Sequence, residues 1–372
     1  MFEVVVQRGV FAKALAHVQS IVERKNITGI ASHLKLDAEN GKLIITATDI
    51  GLSVTETINA EVLQNGALTL PAHTLYEIIR KFSDEEVRLR TSIDQPSMVE
   101  ISSGYSVFHL SFLKAEEFPK IDSGNFDCKF TLDCASLQKI IEKNRNTIAQ
   151  EDGRYHLNGI YFHPVLADKK LRATATDGHR LSSVSVELPK SAENMPAIII
   201  PRKSIFEISK ILADNPQDIA FEVSPMKIRL TIGDVVIVSK LIDAEFPDYM
   251  GLIPVNNTLY FTLPSIEMAR AVDRVSTIMM EKSQAIKISI NGSELELNAG
   301  GNHQSLANEK LEIESNIDKF EVSFNAKYLL DIMSVIDNGD DVEFKLSDPF
   351  SAALLRAKKD KDADFVIMPM RV

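Results

Sequence analysis

The chain repeats one order of helices and strands three times along its 372 residues. Each copy opens with an amphipathic helix, predicted over Phe11–Lys25, Ala135–Gln150 and Ser265–Lys282. A strand pair with alternating apolar residues, a short strand, a second helix and three closing strands follow in each copy. The first two copies end alike, in EEFP at Glu116–Pro119 and AEFP at Ala244–Pro247. A repeat of about one third of the chain has the size of a domain, so the sequence predicts three copies of one domain.

The repeated order predicts an α+β fold in which each domain packs two helices on antiparallel sheets. The second helices are predicted over Ala72–Lys81, Arg202–Ala213 and Asn325–Asp337, and two of them begin directly after a proline, which a helix start tolerates. Domain boundaries are expected at 1–127, 128–255 and 256–372. Single helices and alternating strands recur in any α+β protein, but three matches in one order favour triplication.

Composition limits the class of protein. Hydrophobic residues make up 45% of the chain, and the two cysteines, Cys128 and Cys134, form neither a metal-ligand pattern nor a disulfide scaffold. The N-terminus lacks the features of a signal peptide, and no apolar run approaches membrane-spanning length. We therefore expect a cytoplasmic protein that does not contact the membrane.

The predicted helices carry a net positive charge, whereas the rest of the chain is strongly negative. The chain has a formal net charge of −11, yet the six predicted helices hold 15 Lys and Arg against nine Asp and Glu, so the remainder carries −17. In the first helix, the predicted buried stripe lies opposite a polar face, which comprises Lys13, His17, Ser20 and Arg24. If the six helices share one side of the assembly, that side is electropositive and would attract DNA. The alternative is that each polar face is merely solvated.

Enzymatic motifs are absent from the sequence. It contains no phosphate-binding glycine loop, no HExxH or CxxC metal pattern and no GxSxG elbow. Asp177, His179 and Arg180 are the best candidates for an acid–base set, but neighbours on a hairpin point in different directions. We therefore expect no catalytic residues, no metal and no cofactor. A scaffold that does not bind DNA stays open as an alternative, and retention on closed circular but not linear DNA would separate the two functions.

Five segments closely resemble the beta subunit of bacterial DNA polymerase III, the beta sliding clamp. They are RYHLNG at Arg154–Gly159, ATDGHRLS at Ala175–Ser182, EFPDY at Glu245–Tyr249, FNAKYLLD at Phe324–Asp331 and MPMRV at Met368–Val372. The resemblance implies three clamp domains per chain and a head-to-tail homodimer, in which six domains form a ring around duplex DNA. Such a ring is a processivity factor of DNA replication and binds DNA without sequence preference. Its partners would be the polymerase III catalytic subunit, the clamp loader and other proteins with a clamp-binding motif.

The resemblance implies a partner-peptide pocket and a dimer interface, and the polar faces of the helices indicate the residues that would face DNA. A partner-peptide pocket is expected between the second and third domains, formed by Leu157, Thr176, Gly178, His179, Arg180, Leu181, Pro247, Val366, Met368, Pro369, Met370 and Arg371. The residues expected to face DNA are Arg24, Lys139, Lys143, Lys203, Lys210, Arg270 and Arg274. The dimer interface is expected to bring together Phe108, Leu110, Ile278 and Met279.

Several positions depart from the family pattern. Gly251 stands where a basic residue is expected, Leu252 replaces a smaller aliphatic residue, and Val372 replaces a terminal leucine. These changes predict a pocket with an altered rim and peptide preference. The segment Ile101–Ser111 contains no Lys or Arg, so apolar packing and strand pairing are expected to dominate the dimer interface.

Overall fold

The computed structural model describes residues 2–22, 29–91, 97–119, 121, 124–150, 152–279, 284–300 and 305–371. The strands of the first copy are β1 (Glu3–Gln7), β2 (His33–Glu39), β3 (Lys42–Thr48), β4 (Leu52–Asn59), β5 (Glu61–Gln64), β6 (Gly66–Pro71), β7 (Glu86–Thr91), β8 (Met98–Ser103), β9 (Ser106–Ser111) and β10 (Leu113–Lys114). Those of the second are β11 (Cys128–Leu132), β12 (Gly159–Val165), β13 (Lys170–Thr176), β14 (Arg180–Glu187), β15 (Ile198–Pro201), β16 (Ile219–Val223), β17 (Lys227–Ile232) and β18 (Val235–Lys240). Those of the third are β19 (Leu259–Pro264), β20 (Ala285–Asn291), β21 (Glu294–Gly300), β22 (Leu306–Glu312), β23 (Glu314–Ser315), β24 (Lys319–Asn325), β25 (Asp341–Leu346), β26 (Ala353–Ala357) and β27 (Ala363–Ile367).

Two α-helices of the described residues belong to each copy. They are α1 (Arg8–Val18), α2 (Ala72–Lys81), α3 (Cys134–Asn144), α4 (Arg202–Asp214), α5 (Ser265–Ser276) and α6 (Ala326–Met333). Short 3-10 helices lie at Ile30–Ser32, Ala115–Glu117, Arg145–Thr147, Asp152–Leu157 and Met250–Leu252. The predicted α+β class, with two helices per copy and antiparallel sheets, is confirmed.

The opening helices end earlier than predicted. α1 ends at Val18, and the predicted end at Lys25 lies outside the described residues. α5 ends at Ser276 because the hydroxyls of Ser276 and Thr277 donate to the carbonyl of Asp273 at 2.8 and 3.2 Å, in competition with the next helical turn. Apolar periodicity therefore identified these helices but overestimated their length.

The strands form two small and two large antiparallel sheets. The first small sheet has the order β5-β1-β7-β8-β9, and the second has the order β22-β21-β20-β24. The first large sheet has the order β10-β6-β2-β3-β4-β18-β17-β16-β11, and the second has the order β15-β12-β13-β14-β27-β26-β25-β19-β23. In each large sheet, the strand after the hairpin of one copy pairs with the last strand of the next copy, through β4 with β18 and through β14 with β27.

The chain forms two compact units, each of which contains one large and one small sheet. The first unit comprises Met1–Ala135, Pro189–Pro196 and Lys203–Leu241, and the second comprises Ser136–Leu188, Ala197–Arg202 and Ile242–Val372. The second sequence copy is therefore divided between the units, because its strands pair with those of both neighbouring copies.

The apolar stripes of the opening helices mostly pack into the core. Phe11, Leu15, Val18 and Val22 are at most 2% exposed, and Leu137, Ile140, Ile141 and Ile148 are buried as well. In α5, Val272 and Val275 are buried, whereas Ile266 is half-buried. The predicted amphipathic faces are thus confirmed on their apolar side in the first and third helices.

His17 is the exception on the polar side of α1, where the predicted solvent exposure is wrong. The residue is 1% exposed, and its Nδ1 lies 2.7 Å from a carboxylate oxygen of Glu56 while its Nε2 lies 2.9 Å from one of Asp214. Burial lowers the pKa of His17, but the hydrogen bonds and charges of the two carboxylates outweigh burial and raise it above 6.5. The His17 ring thereby joins α1, β4 and the end of α4 within the first unit.

We predict that the contacts of His17 with Glu56 and Asp214 stabilise the fold less as pH rises. Because the folded pKa of His17 is raised, its contribution is fully present below the unfolded pKa and is lost as pH rises through the folded value. His17→Gln should therefore lower the free energy of unfolding by about 1–3 kcal/mol at a pH near 6 and by much less at a pH near 9. Urea denaturation at both pH values measures the difference. His73→Gln is the control, because the His73 ring contacts the neutral side chain of Gln19 and the carbonyl of Val22. An equal loss at both pH values for His17→Gln would contradict the prediction.

Candidate partner-binding groove and helical face

The turn between β13 and β14 is held by its own side chains. The Asp177 carboxylate accepts from the amides of His179 and Arg180 at 3.0 and 3.1 Å, and Thr176 Oγ1 donates to the Arg180 carbonyl at 2.7 Å. Gly178 has a φ of +87°, and a Cβ there would lie 2.4 Å from Arg154 Nη1. Asp177 therefore has a structural role in the turn, and the arrangement does not form an acid–base set.

Arg180 is buried beneath this turn and is only 8% exposed. Its guanidinium lies 3.0 Å from Asp177 and 2.7 Å from Asp331, and it also donates to the carbonyl of Asn146. The guanidinium carbon lies 4.2 Å from the centre of the Tyr328 ring. Arg180 thus fastens the turn to α6 and to the 3-10 helix after α3, because its planar donors match several acceptors at once.

An apolar cluster includes Leu181, which follows the turn directly. Three of its buried members are predicted pocket residues, namely Leu157, Leu181 and Val366. Phe246 and Tyr249 belong to the same cluster, and Tyr161 stacks on Phe246 with ring centres 4.7 Å apart. Tyr249 Oη lies 2.7 Å from His163 Nε2, and this contact satisfies the polar end of a buried ring.

The C-terminal tail continues from β27 along the turn. The amide of Met368 donates to the carbonyl of His179 at 3.0 Å, and the amide of Met370 donates to the carbonyl of Ser323 at 2.7 Å. Met368 and Met370 remain 46% and 37% exposed. Met370 and Arg371 also line a groove on the second small sheet together with Phe350, which is 70% exposed. The tail is therefore fixed by its backbone and presents two flexible apolar side chains.

The structure brings most of the predicted pocket residues together. Thr176, Gly178 and His179 form the turn, Met368 is bonded to it, and exposed Pro247 follows Phe246 of the cluster. Leu252 is 57% exposed, Gly251 lies beside it in a 3-10 helix, and Val372 lies outside the described residues. Four residues that contribute to this region were not predicted, although they lie within the quoted FNAKYLLD and EFPDY segments; they are Tyr328, Asp331, Phe246 and Tyr249.

Most of the predicted DNA-facing side chains contact acidic groups of the same unit. In the second unit, Lys139 and Lys143 lie 2.8 and 3.2 Å from the two carboxylate oxygens of Asp360. In the first unit, Lys203 pairs with Asp49, and Lys210 lies 3.5 Å from Glu207 and 2.5 Å from Ser20 Oγ.

Two of the remaining basic residues of the set, Arg270 and Arg274, belong to α5. Arg274 donates to Glu309 at 2.9 Å, Arg270 is exposed, and Arg24 lies outside the described residues. The predicted basic face is therefore partly neutralised by neighbouring carboxylates.

The expected dimer residues lie at two different places. Phe108, on the edge strand β9 of the first small sheet, is 42% exposed and has its ring centre 5.7 Å from that of Phe82. Leu110 follows on the same strand and is half-buried. Ile278 and Met279 follow α5 in the second unit and are half-buried.

Three family models match the chain. They describe the N-terminal domain of the DNA polymerase III beta subunit, over residues 2–122, its central domain, over 131–248, and its C-terminal domain, over 250–371. The chain belongs to the DNA polymerase III beta subunit family. A beta sliding clamp from Caulobacter vibrioides is 39% identical over 370 residues, and one from Pseudomonas aeruginosa is 30% identical over 368 residues. Each alignment covers 99% of both chains.

Solved structures of beta sliding clamps share the fold. A DnaN sliding clamp from Bartonella birtlesii bound to griselimycin matches with a TM-score of 0.96 at 38% identity, over 100% of both chains. A sliding clamp from Caulobacter crescentus matches with a TM-score of 0.93 at 38% identity, again over 100% of both chains. The chain is thus a non-catalytic DNA sliding clamp, which encircles duplex DNA as a homodimeric ring of six domains and tethers the replicative polymerase.

Among the residues that the structure describes, no three His, Cys, Asp or Glu side chains are grouped so that they could hold a metal ion. In the same part of the chain, no helix is long and apolar enough to cross a membrane.

We predict that Gly178→Ala destabilises the second unit. The positive φ and the close approach of Arg154 both oppose a Cβ, so the expected cost is on the order of 1–3 kcal/mol. The matched control is Gly153→Ala, because a Cβ there meets nothing within 4 Å. The urea midpoint measures both variants, and equal midpoints would show that the turn relaxes without cost.

Proposed function

We propose that the chain captures short linear peptides of its replication partners in a groove between the Thr176–Leu181 turn and the Met368–Arg371 tail. The observation that carries this proposal is the hydrogen bond from Met368 to His179, which holds an exposed methionine beside the turn, while Leu181 and Val366 nearby in the two strands belong to an apolar cluster. Apolar peptide anchors can bury against such a floor, and methionine side chains adapt to different ligands. The partners of such peptides are the polymerase III catalytic subunit, the clamp loader and other proteins with a clamp-binding motif.

Residues of the predicted pocket have different roles in this proposal. Leu157, Leu181 and Val366 form the floor, while His179, Pro247, Met368, Pro369, Met370 and Arg371 form the rim. The Arg180 guanidinium already contacts Asp177, Asp331 and the carbonyl of Asn146. We therefore expect Arg180 to hold the turn in place, while the rim residues contact the peptide. Gly251 removes one charge from the rim, and exposed Leu252 adds apolar surface beside it. We expect a preference for apolar over acidic residues at that side of the peptide.

Deletion of Met368–Val372 should weaken binding of a polymerase-derived peptide at least about tenfold, because burial of each apolar anchor contributes roughly 1.5–3 kcal/mol. The ring should remain assembled, since these residues follow the last strand. Fluorescence anisotropy with a labelled peptide measures the affinity.

Met368→Ala should give a smaller loss in the same titration, and Met226→Ala is its matched control. Met226 is 52% exposed and lies in the first unit. Equal affinities for the intact and truncated rings would mean that the peptide site lies elsewhere.

We propose that the homodimer closes when β9 of one protomer pairs with β22 of the other protomer. In both large sheets, the strand after a hairpin pairs with the last strand of the next copy. In the third copy, the strand after the hairpin is β22. In the first copy, the last strand of the closing three is β9. Each forms the edge of its small sheet among the described residues, so each offers main-chain donors and acceptors to a partner. Phe108, Leu110, Ile278 and Met279 would supply the apolar packing around this pair.

Phe108→Asp combined with Ile278→Asp should give folded monomers, because buried charges oppose the apolar packing of the interface. Light scattering should report half the mass of the wild-type dimer, while circular dichroism should stay unchanged. Leu166→Asp, at an apolar position that is 60% exposed on the β12–β13 turn, should remain dimeric. A dimer that persists in the double variant at micromolar concentration would overturn this interface.

We propose further that Arg24, Lys139, Lys143, Lys203, Lys210, Arg270 and Arg274 face the duplex. A ring holds DNA topologically, so weak phosphate contacts are sufficient and a tight basic site would oppose sliding. The segregation of positive charge into helices supports the assignment.

The domain boundaries at 1–127, 128–255 and 256–372 are also proposals. Cys128 begins β11, the first strand of the second copy, and Leu259 begins β19, the first strand of the third. A role in DNA replication supports the proposed cytoplasmic location.

A further inference from the structure

Asp360 contacts both lysines that α3 contributes to the proposed DNA-facing set. Its Oδ1 lies 2.8 Å from Lys139 Nζ, and its Oδ2 lies 3.2 Å from Lys143 Nζ. Lys143 Nζ also donates to the carbonyl of Val335 at 2.9 Å. The Asp360 side chain is 22% exposed, and those of Lys139 and Lys143 are 30% and 12% exposed. One carboxylate therefore holds two ammonium groups in a partly buried arrangement.

The carboxylate is anchored by the backbone as well. Asp360 lies in the turn between β26 and β27, and its Oδ1 accepts from the amide of Asp362 at 3.1 Å. Burial opposes ionisation, but the hydrogen bond from Lys139 and the charges of Lys143 and Lys139 outweigh burial and hold the pKa of Asp360 below its ordinary value. The group is thus a fixed negative charge at neutral pH, and its position does not depend on the lysines alone.

A lysine that is paired with a carboxylate attracts a phosphate less strongly than an unpaired one. DNA affinity depends on how many cations replace condensed counterions, and each such contact contributes about 0.9 to the slope of log affinity against log salt. A phosphate that approaches Lys139 or Lys143 must compete with Asp360. Lys203 with Asp49 and Arg274 with Glu309 are single ion pairs on other helices, in which a basic residue of the set also meets a carboxylate.

We propose that Asp360 limits how firmly α3 holds duplex DNA, by engaging Lys139 and Lys143 with one carboxylate. The residue would act as a positioning residue that keeps these phosphate contacts weak and exchangeable, as sliding requires. This inference rests on the proposed DNA-facing role of the two lysines. The ligand is the phosphate backbone of duplex DNA, so the effect is independent of base sequence.

The test is a titration of the full-length dimer with a labelled linear duplex, followed by anisotropy over a range of salt concentrations. Asp360→Asn should bind about threefold more tightly at about 0.1 M salt, since a partly exposed ion pair changes an affinity by at most a few-fold. The slope of log affinity against log salt should become steeper by roughly 1–2, which corresponds to one or two additional lysine–phosphate contacts. Asp360→Glu keeps the charge and should behave like the wild type. Asp360→Ser is measured in parallel, so that the conclusion does not depend on the folding of one variant.

Glu142→Gln is the matched control, because it removes the same charge from an exposed position of α3. Glu142→Gln should raise the affinity for duplex DNA less than Asp360→Asn does. The gain of Asp360→Asn should also vanish when Lys139→Gln and Lys143→Gln are present, because the interaction is then already absent. A gain that persists without the lysines, or that Glu142→Gln matches, would overturn the role of Asp360. If Lys139→Gln and Lys143→Gln alone leave DNA affinity unchanged, the DNA-facing assignment itself fails.

Discussion

Main-chain pairing between neighbouring copies is the constraint on which the rest of the architecture depends. Leu52 to Glu56 of β4 pair residue by residue with Ser239 to Val235 of β18, and Arg180 to Val184 of β14 pair in the same way with Ile367 to Ala363 of β27. Backbone hydrogen bonds do not depend on side-chain identity, so these joints accept the different residues that the three copies carry. The same rule leaves β9 and β22 at the edges of the small sheets among the described residues, and the proposed dimer would pair these two edges.

The joint between β14 and β27 also explains why the proposed peptide groove lies where it does. The turn before β14 and the tail after β27 come from distant parts of the sequence, and the ladder between the two strands brings them into contact. Arg180 opens β14, and its guanidinium reaches Asp331 on α6, so the strand pairing and the buried ion pairs fix the same geometry. The proposed groove therefore depends on the junction between the second and third copies, and neither copy would form it alone.

Repetition and apolar periodicity predicted the fold because both depend on local sequence. The buried stripe Phe11, Leu15, Val18 and Val22 follows from helical spacing, and the hairpins follow from alternation. The environments of polar residues did not follow in this way. Helical spacing alone predicts that His17 faces solvent, but in the folded chain it contacts Asp214 at the end of α4. It likewise predicts an unpaired Lys139, which in the folded chain contacts Asp360 in the β26–β27 turn. Each of these partners lies about 200 positions away in sequence, and the partner decides whether a charge is buried, paired or available. The pocket residues were found through family resemblance, because turn and tail have no common local pattern.

The pairing of β4 with β18 has a consequence for biosynthesis. A ribosome releases β4 long before it makes β18, and the interval from Asn59 to Val235 lasts roughly 10–35 s at ordinary elongation rates. Once β10 has been made, the first domain has its other strands but still lacks a partner for β4, which carries the apolar residues Val54 and Ile58. Nascent chains on one messenger RNA are close together, and an open edge can pair with another of its kind. The order of synthesis therefore sets the period in which this protein is most exposed to misassembly, and a slow passage through residues 60–234 would lengthen it.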